Sequence, residues 1–196
     1  LADIFETQLT SRQMDRLSRN LQARGEGFYT IGSSGHEGNA ALAAALRLTD
    51  MAFLHYRSNA FQLQRARQLP GSTPSWDMLL SFTASAEDPI SGGRHKVIGS
   101  KPLFIPPQTS TIASHLPKAV GAAFSIPLAK RLKLDGAVMP ADAIVVATFG
   151  DASANHSTAQ GAFNTAGWSA FQGSPLPLVF VCEDNGIGIS TRTPAG

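Results

Sequence analysis

The stretch "ATFGDASANHSTAQGAFN", Ala147 to Asn164, is followed further along by "FVCEDNGIGIST", Phe180 to Thr191. Each starts in an apolar run and passes at once into a polar turn, with Asp151 directly after Gly150 and Asn185 directly before Gly186. The runs "AIVVATF" and "PLVFVCED" have the continuous apolar character of buried parallel strands, and "HSTAQGAFNTAGW" between them reads as a helix. Strand, helix and strand in that order predict a βαβ unit with a right-handed crossover. The fold class is therefore α/β, a mostly parallel sheet with helices on both faces. In such sheets ligands sit beyond the carboxyl ends of the strands, where both Asp151 and Asn185 fall. A carboxylate and an amide oxygen are hard donors that suit Mg²⁺ or Ca²⁺, with phosphate oxygens and water completing six positions. Gly150 and Gly186 let the backbone come close or take positive φ. The amides of Ala152, Ser153 and Ala154 open the next helix, where a phosphate can bind. The plainer alternative is turn chemistry, because Asp and Asn both favour strand-to-helix turns.

Working outward, Thr10 or Ser11 is a candidate cap for a first helix, with Met14, Leu17 and Leu21 on one face and "ARGEG" ending it. "HEGNAALAAALRL" predicts an alanine-rich helix, "DMAFLHYRS" a turn and a short strand, and "NAFQLQRARQ" a helix stopping before Pro70-Gly71. Trp76 to Phe82 predicts another short helix. The segment from Ala84 to Thr111 is rich in Gly, Pro and Ser and lacks periodicity, which marks a functional loop or linker. "SHLPKAVGAAFSIPLAKRLKL" predicts a long helix with Pro117 in its first turn and a kink at Pro127.

The 196 residues suffice for one substantial core, read as a single domain over residues 1–196. Charged residues make up only 15%, low for a free-standing protein, which points to a surface covered by a partner. A net charge of +2, evenly spread, argues against nucleic acid. No apolar run is long enough to span a membrane, and no leader is visible. The single cysteine, Cys182, excludes an internal disulfide and suggests a reducing, cytoplasmic setting. The sequence stops at "STRTPAG", just past a strand and turn, and is expected to be a piece of a longer chain.

The same motifs resemble the alpha part of the thiamine-diphosphate-dependent decarboxylating component of 2-oxo acid dehydrogenase complexes, of the pyruvate or branched-chain type. "YTIGSSGHEGNAALAAALRLTD", "FLHYRS", "STIASHLPKAVGAAFSIPLAKRLK" and "FGDASANHSTAQGAFNTA" follow one another in the order of that family. The resemblance implies oxidative decarboxylation of a 2-oxo acid with transfer of the acyl group to a lipoyl-bearing acyltransferase. It implies thiamine diphosphate and Mg²⁺ as cofactors. Asp151, Asn185 and the backbone oxygen of Ile187 would hold the metal. Tyr56 and Arg57 would reach the diphosphate, Ser110 and Ile112 would lie by the aminopyrimidine, and Gly150, Ala152 and Ser153 would border the cofactor. His95, in "GGRHKVIG", would be the catalytic histidine, a natural proton donor near neutral pH. The activating glutamate would come from a beta subunit or fused beta domain, so this chain alone would be inactive.

Each assignment has a plainer reading. Tyr56-Arg57 could be a strand end reaching to solvent, Ile112 core, Ser110 a helix cap, His95 a solvated loop residue and Cys182 a buried strand residue. His36, His115 and His156 have no settled role. The sequence departs from the family pattern at Ala152 (usually Gly), at Asp184 (usually Asn), at Glu183 and in the longer segment "GWSAFQGSPLP". Two other functions stay open on residues alone: a Mg²⁺-dependent nucleotide- or phosphosugar-binding α/β protein, and a noncatalytic interaction protein. Neither "GxxxxGK[ST]" nor "GxGxxG" is present to support the first.

Overall fold

The run that dominates the sequence forms the central strand of a parallel sheet. In the computed structural model, which describes residues 1–33, 35–174 and 176–194, Val145–Gly150 is a strand buried along its whole length. Ser34, Pro175, Ala195 and Gly196 lie outside the described residues. The elements are α1 (Ala2–Ala23), α2 (Asn39–Ala45), β1 (Met51–Phe53), α3 (Asn59–Ala66), α4 (Pro74–Phe82), β2 (Ile98–Ser100), β3 (Ile105–Gln108), α5 (Leu116–Leu132), β4 (Val145–Gly150), α6 (Ser157–Phe171), β5 (Leu178–Glu183), β6 (Ile187–Gly188) and β7 (Thr191–Arg192). The described residues cluster into two compact units, Leu1–Leu48 with Tyr56–Ser110, and Thr49–His55 with Thr111 to the end.

The second unit contains the three-stranded sheet, in the order β1-β4-β5. Both pairings are parallel, with Met51 opposite Val145 and Val145 in turn opposite Leu178. The buried Asp50 carboxylate accepts from the Ile144 amide at 3.1 Å and fixes the entry to β4 beside β1. Helices flank the sheet. Ala119 and Ala123 on α5 are fully buried, small enough to let the helix lie close to the strands. Phe149, Phe163 and Phe180 form a ring cluster with centroids 4.9–6.4 Å apart, tying β4, α6 and β5 together. The α5 helix runs continuously through Pro127. The strand β5 is only half-buried, unlike the buried strand expected, and Cys182 on it is exposed. Among the described residues it ends the strand order, with a neighbour on one side, whereas β4 is paired on both.

The first unit is mostly helical. The helix α1 begins at Ala2, so Thr10 and Ser11 are interior rather than capping. Thr10 instead bonds back to the Glu6 carbonyl at 2.8 Å. The buried face of α1 is also more polar than its apolar periodicity suggested: Thr7, Ser11, Asp15 and Ser18 are buried with Met14, while Leu17 is exposed. The partners explain the difference. Asp15 accepts from the Ser33 amide at 3.0 Å and from its hydroxyl at 3.1 Å, and Ser11 bonds Ser33 at 2.7 Å. Gly32 is required there, since a Cβ would lie 2.7 Å from the Asp15 carboxyl carbon. Burial raises the Asp15 pKa, and the bonds from Ser33 and the charge of Arg12 only partly offset this.

The segment read as irregular, Ala84 to Thr111, contains an antiparallel hairpin, β2 and β3. Ahead of it, Asp88 organises a turn by accepting from the amides of Ile90 and Ser91 at 3.1 and 3.3 Å. Gly93, with φ +76°, passes so close to the Ala84 carbonyl that a Cβ would lie 2.2 Å from its oxygen. Lys96 is buried, its ammonium 5.4 Å from the centroid of the Phe82 ring. Burial lowers its pKa from 10.5 to about 8, against the opposing pull of Asp88.

Candidate functional site

The chain leaves β4 at Gly150 and turns immediately through a short 3₁₀ segment, Asp151–Ser153. A parallel neighbour, β5, ends at Glu183, opposite Gly150 in the register. This register brings Asp151 to the loop that follows β5. The Asn185 amide approaches Asp151 Oδ1 at 3.5 Å, too far for a strong hydrogen bond. The Thr193 hydroxyl donates to Asp151 Oδ2. The carboxylate thus has fixed partners before any ligand is considered. Burial raises its pKa, but the bond from Thr193 and the nearby backbone amides of Asn185, Ala152 and Asp151 outweigh this and hold it below the usual value.

The loop after β5 is a chain of turns. Asp184 accepts from the Gly186 amide at 2.9 Å, and the Asn185 side-chain oxygen accepts from the Ile187 amide at 3.1 Å. Gly186 has φ +71°, a conformation that favours glycine. The two-residue strand β6 then runs over the Asp151–Ser153 turn. A Cβ on Gly188 would lie 2.8 Å from the Ala152 Cβ. Ala152, where the family pattern has Gly, is therefore accommodated by a glycine across from it. A short hairpin with β7 returns the chain so that the Thr193 amide bonds the Gly186 carbonyl at 3.1 Å.

The donor set fits a hard divalent cation. Among the described residues Asp151 Oδ1 is approached by the Asn185 amide at 3.5 Å, and the Asn185 oxygen uses one of its two lone pairs on Ile187. All the donors are oxygens, as Mg²⁺ demands. Asn185 and Ile187 are exposed, while Ser153 is buried at the start of the next helix. His156 caps α6, its Nδ1 accepting from the Thr158 amide at 3.2 Å. Cys182 makes a poor nucleophile: partial desolvation and then the charges of Asp151, Asp184 and Glu183 push its thiol up. His115 is a buried core residue whose Nε2–H donates to the Thr148 carbonyl at 2.7 Å. Burial first, and Lys118 as well, lower its pKa against the opposing effect of the Thr148 bond. Ile112 is exposed rather than core.

The remaining predicted residues belong to the first unit. Arg57 is half-buried, stacks 5.3 Å from the centroid of the Tyr56 ring and donates to the Gly32 carbonyl at 2.8 Å. It is tied to the protein rather than simply solvated. Ser110 is exposed and does not cap α5; His115 occupies the cap position. His95 is exposed, and its backbone carbonyl lies 2.7 Å from the Ser91 hydroxyl. Thr193 was not anticipated; its only signal is its place in the hydroxyl-rich run "ISTRT" after the Asn turn.

The geometry defines an α/β protein with hard oxygen donors at the carboxyl ends of two adjacent parallel strands. The chain belongs to the dehydrogenase E1 component family, whose model matches residues 5–196. It is similar to the 2-oxoisovalerate dehydrogenase subunit alpha, mitochondrial, of Mus musculus, 31% identical over 183 residues, covering 92% of this chain and 36% of that one. The 2-oxoisovalerate dehydrogenase subunit alpha of Bacillus subtilis (strain 168) is 31% identical over 194 residues, covering 96% of this chain and 52% of that one. Subunit alpha 2, mitochondrial, of Arabidopsis thaliana is 30% identical over 192 residues, at 97% and 36% coverage. The chain thus spans between 36% and 52% of the length of these relatives. The cytoplasmic placement expected from sequence is corrected here, since the mouse and Arabidopsis relatives are mitochondrial by name. A lone cysteine reports on redox conditions, not on compartment. Among the described residues no helix is long and apolar enough to cross a membrane.

Proposed function

We propose that this chain is the diphosphate- and metal-binding half of a thiamine-diphosphate-dependent 2-oxo acid dehydrogenase acting on branched-chain 2-oxo acids. The observation that carries the proposal is the meeting of Asp151 with the Asn185–Ile187 loop at the ends of β4 and β5, in a member of the dehydrogenase E1 component family. The choice of branched-chain acids rests on the names of the relatives.

Bound thiamine diphosphate supplies addition to the 2-oxo carbonyl and an electron sink for loss of CO₂. The chain's own residues bind and orient. Asp151, Asn185 and the backbone oxygen of Ile187 hold Mg²⁺ between the two turns. The amides of Ala152 and Ser153 face the diphosphate where α6 is about to begin, with Gly150 allowing close approach. Tyr56 and Arg57 contact the diphosphate, and Arg57 can offer two parallel donors. Ser110 and Ile112 orient the aminopyrimidine, and His95 donates or orients a proton at the substrate. The loop from Ala84 to Thr111 excludes water while the reaction proceeds. The beta part supplies the activating glutamate, and a lipoyl-bearing acyltransferase accepts the acyl group.

The test is the complete protein assayed against pyruvate, branched-chain 2-oxo acids and 2-oxoglutarate with an artificial electron acceptor. Turnover that needs both thiamine diphosphate and Mg²⁺ and favours a branched acid supports the proposal. Absence of turnover on every 2-oxo acid overturns it.

A further inference from the structure

The metal ligands named above leave one group at the same turn without a role, the side chain of Thr193. Its hydroxyl donates to Asp151 Oδ2, and its amide donates to the Gly186 carbonyl at 3.1 Å, between the candidate ligands Asn185 and Ile187. One residue thereby ties the turn after β4 to the loop after β5. The other carboxylate oxygen, Oδ1, faces the Asn185 amide at 3.5 Å, too long a contact to occupy it.

We propose that Thr193 is a positioning residue that leaves Asp151 only one oxygen, Oδ1, for the metal, and that this biases the site toward Mg²⁺ over Ca²⁺. The inference rests on the metal reading of Asp151 and adds to it. Mg²⁺ requires a near-octahedral set at about 2.0–2.1 Å, whereas Ca²⁺ accepts six to eight oxygens and takes carboxylates through both oxygens at about 2.3–2.6 Å. A carboxylate whose second oxygen is engaged by a hydroxyl is a one-oxygen donor and suits the smaller ion. The hydroxyl is well held for this purpose. Thr193 is β-branched, with few rotamers, and its amide bond to Gly186 fixes the backbone on which the side chain stands. Without the hydroxyl, Oδ2 becomes available and Asp151 can chelate a larger ion.

The experiment uses the complete enzyme, stripped of metal and titrated calorimetrically with Mg²⁺ or Ca²⁺ in a fixed excess of thiamine diphosphate. Thr193→Val keeps the shape and loses the hydroxyl; Thr193→Ser keeps the hydroxyl. Thr193→Ala serves if the valine variant folds poorly. The valine variant should bind Mg²⁺ on the order of tenfold more weakly, the usual scale for losing an outer partner of a metal ligand. It should lose little Ca²⁺ affinity, so that the Mg²⁺/Ca²⁺ preference falls by about the same factor. The serine variant should keep the parental preference. An unchanged preference in the hydroxyl-free variants, whether both affinities hold or both fall together, overturns the inference, as does tighter Mg²⁺ binding. Asp151→Ala separates the two levels. If it retains parental Mg²⁺ affinity, the metal reading itself fails. If it loses that affinity while Thr193→Val keeps the parental preference, only the role of Thr193 fails.

Discussion

Lys96 is a cation buried against Phe82 in the first unit, and its replacement by methionine should stabilise the protein at neutral pH. Folding moves its pKa from 10.5 down to about 8. At about 1.36 kcal/mol per pH unit this is on the order of 3 kcal/mol of destabilisation. The sign follows from the protons bound. Between pH 8 and 10.5 the unfolded lysine is protonated and the folded one is not, so stability rises with pH across that window. Below pH 8 both states are protonated and the full penalty remains. Methionine has similar length and no charge, and it can pack on the buried Phe82, Met78 and Ile98, although Asn59, Gln62, Asp77, Ser81 and Asp88 line the same cavity. Asp88 loses an attractive neighbour but keeps the Ile90 and Ser91 amides. Lys96→Met should therefore gain about 1–3 kcal/mol at pH 7, read as a rise of several degrees in melting temperature. The gain should shrink steadily from pH 8 to 10.5. Thermal unfolding of parent and variant over pH 7–10.5 measures the difference. A variant less stable than its parent at pH 7, or a difference independent of pH, would refute the reasoning.

Gly188→Ala should force β6 away from the Ala152 methyl, 2.8 Å from the added Cβ, and weaken Mg²⁺-dependent cofactor binding with a much smaller loss of melting temperature. Calorimetry and thermal unfolding of the same sample separate the two effects. His115→Leu leaves the Thr148 carbonyl without its Nε2–H partner and should destabilise by about 1–3 kcal/mol, measured by denaturant unfolding. His95→Ala should slow decarboxylation or acyl transfer to the lipoyl partner while cofactor affinity stays near parental. Pre-steady-state kinetics on the complete enzyme, with unchanged rates as the contrary result, decides whether His95 acts in the reaction.

Much of the second unit was legible because its local and tertiary signals agree. "VVATFG" is apolar but for Thr148, is buried along its length and is the strand paired on both sides. Asp151 and Asn185 stand out as polar residues placed directly at strand ends, and the parallel register then brings their loops together. The first unit was less legible. In β2 and β3, "IGS" and "IPPQ" carry Gly and Pro, which weigh against strands when read alone. The start of α1 was misplaced because Thr10 and Ser11 look like caps until their bonds to Glu6 and Ser33 are seen. The burial of Asp15 rests chiefly on Ser33, which no local pattern connects to it. Thr193 was hidden for a related reason. Its role depends on a hairpin of two-residue strands, too short for any periodicity to show.

The most direct measurement is the Mg²⁺-dependent binding of thiamine diphosphate to the complete protein carrying Asp151→Ala. The substitution removes one proposed metal ligand and leaves the Thr193 hydroxyl and the Asn185 amide half-exposed or exposed, where water can replace the lost bonds. Its effect on folding should therefore stay within about 1 kcal/mol. Calorimetric titration should show cofactor affinity reduced by more than about tenfold, beyond what loss of an outer partner would cause, with the melting temperature of the cofactor-free protein nearly unchanged. Parental affinity in the variant would contradict the assignment of Asp151 to the metal and, with it, the proposed role of the β4–β5 strand ends.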